Sequence, residues 1–161
     1  RVEAAGADGL LLSTNTMHKV ADEIERAVSI PFLHIADPTA AALVRDGVER
    51  VGLLGTAFTM EQDFYKGRLR DRHGLEVMVP VDEGRKAAHE IIYQELCQGS
   101  IRAESRQRYL EIIDELARRG AQAVILGCTE IGLLVKQGDT AVPLYDTTQL
   151  HVGRAVDFAL G

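Results

Sequence analysis

The sequence predicts an α/β protein built from two similar lobes, each a parallel sheet flanked by helices, with a ligand cleft between them. Short apolar runs alternate along the 161 residues with longer amphipathic segments. The apolar runs lack strict polar and apolar alternation, which is typical of parallel strands covered on both faces. A segment near the start is also repeated near the end, which favours two similar lobes.

The predicted elements follow one another in β–α order. Helical segments carry apolar residues at helical spacing, for example Tyr109, Ile112 and Leu116, and Gly120 suits the end of that helix. The segment that begins at Thr59 fits a capping box and would start another helix. Strands are predicted at residues 9–13, 32–36, 50–55, 75–80, 123–127 and 143–145, and helices at 17–28, 39–46, from 59, at 82–97, at 102–119 and up to 159.

The repeat consists of GADGLLLSTNT at residues 6–16 and GAQAVILGCTE at residues 120–130, which align without a gap. Each copy precedes a proline-led strand that ends near an acidic residue, PFLHIAD and PLYD. In this alignment Thr14 and Cys128 occupy equivalent positions. We expect lobes related by a pseudo-twofold axis to present these two residues to the cleft from opposite sides.

The repeat also suggests how the chain divides. The first lobe is predicted at residues 1–46 and is completed by residues 143–161, with the last strand returning to it, while the second lobe spans residues 47–142. The chain opens like the tail of a helix followed by a strand. We therefore expect an N-terminal portion of the first lobe to be missing.

Composition argues against several classes of function. The net charge is −6 and the basic residues are scattered, which is unlike a nucleic-acid-binding surface. No apolar run approaches the length of a membrane span, and two cysteines cannot form a disulfide framework, so the predicted location is the cytoplasm. Neither a metal-ligand spacing nor a nucleotide-binding glycine fingerprint is present.

The candidate site lies at the predicted carboxyl ends of the strands, where open parallel sheets bind ligands. Thr14 and Cys128 both fall there, and a helix or turn follows each. Free backbone N–H groups at such starts bind carboxylates and favour the thiolate form of a cysteine. A cleft with a base on each side of one carbon suits racemisation or epimerisation. Short polar side chains suited to orienting an anionic substrate are Asn15, Thr16, Thr56, Thr129 and Thr147.

Three motifs resemble the aspartate/glutamate racemase family, and its aspartate-racemase-like branch of broad amino-acid racemases in particular. They are STNTMH at residues 13–18, GCTEIG at 127–132 and PLYDTT at 143–148, and the resemblance covers nearly the whole chain. It implies two pseudo-symmetric α/β lobes, a small amino-acid substrate and a homodimer. It also implies that neither pyridoxal phosphate nor a metal takes part, and that two cysteines flank the substrate α-carbon.

Carried over by position, the resemblance assigns roles to single residues. Cys128 becomes the catalytic acid/base for the L-face proton, and Thr14 takes the place of the second cysteine. Glu130 replaces a histidine of glutamate racemases, which favours the aspartate-like branch, and it counts with His151 as an accessory candidate. The residues implied to hold the substrate, chiefly its α-carboxylate, are Asn15, Thr16, Thr56 and Thr129.

Thr14 departs from the family pattern, because a threonine hydroxyl is a poor general base near neutral pH. In the first hypothesis, Cys128 removes the proton from L-aspartate or L-glutamate and Thr14 returns one with water. In the second, the chain is a one-cysteine decarboxylase of the same superfamily. In the third, it is a non-catalytic relative that binds an amino acid. The family's glycine-rich first strand end and a substrate-binding arginine have no counterpart in this sequence.

Overall fold

The computed structural model describes residues 1–161 and contains two parallel sheets surrounded by helices, which confirms the predicted fold class. The strands are β1 (Leu10–Leu11), β2 (Phe32–Leu33), β3 (Arg50–Gly55), β4 (Glu76–Met78), β5 (Ala123–Gly127) and β6 (Leu144–Asp146). The helices are α1 (Ala21–Ala27), α2 (Ala36–Arg45), α3 (Ala57–Glu61), α4 (Asp63–His73), α5 (Asp82–Gln94), α6 (Ala103–Arg118), α7 (Ile131–Leu134) and α8 (Thr147–Leu160). Short 3-10 helices lie at Glu3–Ala5, Thr16–Val20, Leu96–Gln98 and Gln137–Asp139.

The larger sheet has four strands in the order β4-β3-β5-β6, and its two faces are both buried. Val124 and Leu126 of β5 pack with α5 and α6 on one face. The alternate residues Ala123 and Ile125 pack with α2 and α4 on the other face. Because both faces of β5 are covered, the strand carries apolar residues throughout instead of alternating, which is the pattern that predicted it.

The sequence repeat has a structural counterpart. β1 pairs with β2 and β5 pairs with β6, both in parallel, with Leu10 opposite Phe32 and Val124 opposite Leu144. The backbone N–H of Leu10 donates to the carbonyl of Pro31, and that of Val124 donates to the carbonyl of Pro143, at 2.9 and 2.8 Å. The two copies therefore share strand pairing and register as well as sequence.

The last strand differs from its prediction. β6 hydrogen-bonds to β5 in the four-stranded sheet, so the expected return of this strand to the first lobe is wrong. The following helix α8 packs against α2. It also contacts β2 of the smaller sheet and β5 and β6 of the larger sheet, and thus joins the two sheets. The division into residues 1–46 and 47–142 stays a prediction. None of the helices combines the length and the hydropathy that a bilayer crossing requires.

The helix after β3 also begins earlier than predicted. Thr56 is its N-cap, in an extended conformation, and its hydroxyl accepts a hydrogen bond from the N–H of Thr59. Thr59 itself lies inside α3, so the capping box predicted to begin there is wrong. The strand ends at Gly55 and the chain turns at once into the helix, which leaves Thr56 to satisfy a free N–H group.

Candidate active site

The predicted site residues follow strands whose carboxyl ends lie at one edge of the four-stranded sheet. Thr56 follows β3, Cys128 follows β5, and Thr147 follows β6. Thr14 lies just after β1 of the smaller sheet. The loop that carries Thr14 also carries Asn15, whose contacts reach this same edge. The structure thus brings residues from both copies of the repeat to the carboxyl ends of parallel strands, which is where such sheets bind ligands.

A chain of hydroxyl groups joins the two sheets. Thr16 Oγ1 lies 3.2 Å from Thr56 Oγ1, which lies 3.2 Å from Thr59 Oγ1. Thr56 and Thr59 are buried, and Thr16 is partly exposed. The sequence predicted Thr16 and Thr56 as substrate contacts, which stays a prediction, and the structure places their hydroxyl groups side by side.

Asn15 is held by the end of β6 and leaves one atom free. Its Nδ2 donates to Thr147 Oγ1 at 3.1 Å, and the Thr147 hydroxyl donates to the carbonyl of Leu126 at 2.9 Å. Since a hydroxyl has one hydrogen, Thr147 can only accept from Asn15, which fixes the orientation of the amide. The buried Oδ1 of Asn15 has no partner. This free atom is an acceptor, so it suits an ammonium or hydroxyl group of a ligand rather than the α-carboxylate.

Thr14 is positioned through its backbone by His18. The Nδ1–H of His18 donates to the Thr14 carbonyl at 2.7 Å, while its Nε2 accepts from the N–H of Ile35 at 3.2 Å. His18 is 1% exposed and joins the ends of β1 and β2. No sequence motif assigns this role to His18, and its spacing of four residues from Thr14 is the only local signal of it.

Cys128 is partly buried against the core, and its thiol donates to Glu130 Oε2 at 2.8 Å. Burial raises the pKa of Cys128 well above its usual range, and the hydrogen bond to the Glu130 carboxylate raises it further. Burial also acts to raise the pKa of Glu130, but hydrogen bonds from Cys128 and Thr129 outweigh it and lower that pKa. The resting pair is therefore a thiol and a carboxylate, and the expected preference for thiolate is not found. The helix that follows, α7, has only four residues, and a negative charge faces the sulfur.

Thr129 and His151 lie together in a different part of the site. Both line an apolar cavity of about 370 Å³ between β1 and α8. The Nε2–H of His151 donates to the carbonyl of Leu33 at 2.7 Å. No hydrogen bond joins Thr129 or His151 to the Thr16–Thr56 pair. Nor does one join Thr14 to Cys128.

One residue near the site had no sequence signal. His89 on α5 accepts a hydrogen bond from the N–H of Ala57 through its Nδ1, at 3.1 Å. It therefore satisfies part of the first turn of α3, next to Thr56. No local pattern connects positions this far apart along the chain. No group of three His, Cys, Asp or Glu side chains is arranged to hold a metal ion.

The strand end that carries Cys128 depends on a close contact between backbones. A Cβ atom at Gly127 would lie 2.7 Å from the Leu54 carbonyl oxygen of β3. We expect Gly127→Ala to reduce the free energy of unfolding by about 1–3 kcal/mol, because two paired strands cannot separate locally at low cost. Thermal unfolding monitored by circular dichroism measures this. Gly153→Ala, where nothing lies within 4 Å, is the control, and equal melting temperatures for the two variants would contradict the packing argument.

Comparison with known proteins agrees with this geometry. The family model described as Asp/Glu/Hydantoin racemase matches residues 1–155. A Yersinia pestis protein named for the Asp/Glu racemases is 51% identical with a TM-score of 0.94, and the match covers 99% of this chain and 70% of that one. An aspartate racemase homologue from Pyrococcus horikoshii is 37% identical with a TM-score of 0.88, with the same coverage of both chains.

A curated relative extends the comparison. The broad specificity amino-acid racemase RacX of Bacillus subtilis is 25% identical over 148 residues, which are 92% of this chain. The chain spans 63% of the length of that relative. The family match over nearly all residues, the shared fold and the motifs around Thr14 and Cys128 lead to one conclusion. This chain belongs to the Asp/Glu/hydantoin racemase family.

Proposed function

We propose that this chain carries the α-proton chemistry of a cofactor-independent amino-acid racemase that acts on aspartate or glutamate. The observation that carries the proposal is the Cys128 thiol at the carboxyl end of the central strand β5, in a chain of this family. The names of the relatives, which include an aspartate racemase homologue and a broad specificity amino-acid racemase, support an amino-acid substrate.

The proposed roles follow the positions of the groups. Cys128 exchanges the proton on the L face of the α-carbon, and Thr14, with water, serves the opposite face. The hydroxyl groups of Thr16 and Thr56 are donors that suit the α-carboxylate, and Asn15 Oδ1 is an acceptor for one of the three N–H groups of the substrate ammonium. Thr129 is a further polar contact, and His151 holds β2 beside it.

Proton exchange with solvent tests the reaction. The protein is incubated in D₂O separately with L- and D-aspartate and with L- and D-glutamate, and the α-proton signal is followed by NMR. A racemase replaces this proton by deuterium, and the site predicts faster loss from the L-enantiomer than from the D-enantiomer, since only the L face has a thiol. If none of the four signals decreases while the protein stays folded, the proposal fails.

Restoring the second thiol should make the site more symmetric. We expect Thr14→Cys to raise the rate of exchange of D-aspartate or D-glutamate at least tenfold, because a thiol near its working pKa is a far better base than a hydroxyl. Thr14→Val is the matched control, since it keeps the backbone carbonyl that His18 binds and removes only the hydroxyl. An unchanged D-to-L ratio of exchange rates in Thr14→Cys would show that Thr14 does not face the α-carbon.

One observation favours a second candidate, the one-cysteine decarboxylase. Such an enzyme needs a proton donor rather than a base, and the pKa of Cys128 is raised, so the sulfur is protonated at rest. This candidate predicts release of CO₂ from a malonate-type acid, with no exchange of the α-proton of amino acids. Measuring both activities on one preparation separates the two functions.

A further inference from the structure

Glu130 is a carboxylate without a cationic partner. Its side chain contacts the Cys128 thiol and the Thr129 hydroxyl, and no lysine, arginine or histidine lies within ion-pair distance. It is the N-cap of α7, yet it makes no capping hydrogen bond with that helix. Glu25 and Asp37 are also partly buried, and both are paired with Arg68. Glu130 therefore stands out as a carboxylate that structural pairing does not explain.

A partly desolvated carboxylate is stabilised when a cation approaches it. An amino-acid substrate brings such a cation, its α-ammonium group, which is attached to the carbon on which Cys128 acts. We propose that Glu130 binds the α-ammonium group of the substrate, and that this contact takes the carboxylate away from the thiol and frees the sulfur to act as a base. The inference rests on the proposed function and adds to it a substrate requirement and a trigger.

In the protein without substrate, the Cys128 S–H donates to Glu130 Oε2 at 2.8 Å, and the negative charge opposes thiolate formation. An ammonium group beside Glu130 neutralises this charge and occupies the acceptor oxygen. The thiol then loses both its acceptor and the repulsion that kept it protonated. The other titratable groups that face the sulfur, Tyr109 of α6 and Cys97 of the 3-10 helix before it, are neutral and do not replace the carboxylate.

The proton balance closes without a further reagent. The thiol proton passes to water, and the thiolate forms its S–H bond as the α C–H bond of the L-substrate breaks, which leaves the electron pair on the substrate. Water on the Thr14 face protonates the carbon and becomes hydroxide. The proton released in the first step neutralises this hydroxide, so the only net change is the configuration of the α-carbon.

If Glu130 binds the ammonium group, the pKa of Cys128 depends on whether the ligand carries an amino group, and this can be measured without turnover. Protein labelled with ¹³C at cysteine Cβ and carrying Cys97→Ser gives one signal, which reports whether Cys128 is a thiol or a thiolate. This signal is followed through a pH titration with no ligand, with L-aspartate or L-glutamate, and with succinate or glutarate, which lack the amino group. The same titrations are carried out on Glu130→Gln. This substitution removes the charge but keeps the shape of the side chain and one acceptor oxygen.

We expect Cys128 in the ligand-free protein to titrate at a higher pH than an ordinary cysteine and the amino acids to lower the titration midpoint by about one unit or more, whereas the diacids leave it unchanged. In Glu130→Gln, the midpoint should be lower without ligand and insensitive to the amino acids. Equal shifts with amino acids and diacids, no shift with either, or a Glu130→Gln midpoint equal to that of the parent would each overturn the inference.

The same data separate the inference from the proposed function. A shift with aspartate but no α-proton exchange supports the Glu130 contact and contradicts racemisation. Exchange without any shift supports racemisation and contradicts the contact. Glu130→Asp, which restores the charge at a shorter reach, should recover part of the ligand-dependent shift, and a merely structural role for Glu130 would not produce this recovery.

Discussion

Replacing Cys128 by alanine is expected to lower the rate of exchange of the substrate α-proton by about 10²–10⁴-fold, the range typical of a lost general acid or base. The sulfur is the one strongly basic group that the site can present on the L face, and the neighbouring hydroxyl groups cannot substitute for it near neutral pH. The measurement is the rate of α-deuteration of L-aspartate and L-glutamate in D₂O. The rate of exchange should fall while the fold of the protein is unchanged.

Cys97→Ala is the matched control for this experiment. Cys97 is exposed and lies on the 3-10 helix after α5, so its removal should leave exchange unchanged. Circular dichroism verifies that Cys128→Ala is folded, which we expect because the side chain is only partly buried and alanine keeps its Cβ. Exchange that survives in a folded Cys128→Ala protein would remove Cys128 from the reaction.

The binding-protein hypothesis gives a different pattern. An inactive relative would show no exchange with the parent chain, although aspartate or glutamate would raise its melting temperature. Cys128→Ser would leave this stabilisation unchanged, since a hydroxyl can replace the thiol as a neighbour of Glu130. A ligand-dependent rise in melting temperature together with exchange that requires Cys128 identifies an enzyme instead.

The sequence predicted the fold because the local patterns of apolar residues match the burial of the strands and helices in the structure. β5 was identified because both of its faces are buried and its residues are apolar throughout. The repeat predicted equivalent positions in two similar segments, and each copy does contribute a strand paired in parallel with a proline-led strand, although for the second copy this pairing was not predicted. The sequence pattern could not show which sheet β6 joins. A short strand can pair with the edge of either sheet, and tertiary packing decides between them. The prediction for Thr59 failed although the end of β3 at Gly55 was predicted, because the capping-box pattern did not show that the helix follows the strand at once and makes Thr56 the cap.

The site was predicted less completely, since its chemistry depends on contacts between distant residues. The sequence identified Thr16 and Thr56, which are adjacent in space. It gave the wrong protonation state for Cys128, because the general effect of a helix start was outweighed by burial and by a specific carboxylate two residues away. The free acceptor on Asn15 follows from its bond to Thr147, which no local pattern reveals. Sequence therefore predicted which candidate residues lie close together better than how their charges and hydrogen bonds are arranged.

A loss of stability in mild acid is expected from the histidines that hold the first sheet. Burial is the main cause that lowers the pKa of His18 from 6.5 to about 4, and burial together with the nearby His18 ring and Arg68 lowers that of His34 to about 2. His34 Nδ1 accepts from the N–H of Ala36, and His18 accepts from Ile35, so protonating either ring breaks a buried hydrogen bond. His151, which also faces His18, donates its Nε2–H to the carbonyl of Leu33.

The sign of the pH dependence follows from the lowered pKa values of the two histidines. In the unfolded chain these histidines are protonated near pH 6.5, whereas in the folded protein they stay neutral to a lower pH. The stability they contribute is therefore fully present above about pH 6.5, and it is lost as the pH falls toward 4 and below. For His18 alone the loss is about 3 kcal/mol, which would lower the melting temperature by several degrees. The Asp37–Arg68 pair also weakens in acid, because the pKa of Asp37 is lowered as well, but that loss begins near pH 4.

Urea unfolding between pH 8 and pH 4 measures this dependence. His34→Asn isolates the contribution of one ring, because the amide oxygen can occupy the place of Nδ1 and accept from Ala36 without titrating. We expect this variant to lose less stability than the parent between pH 6.5 and pH 4. A parent protein whose unfolding free energy stays constant down to pH 4 would show that the histidines are not held neutral, and the positioning of Thr14 by an unprotonated His18 would then have to be abandoned.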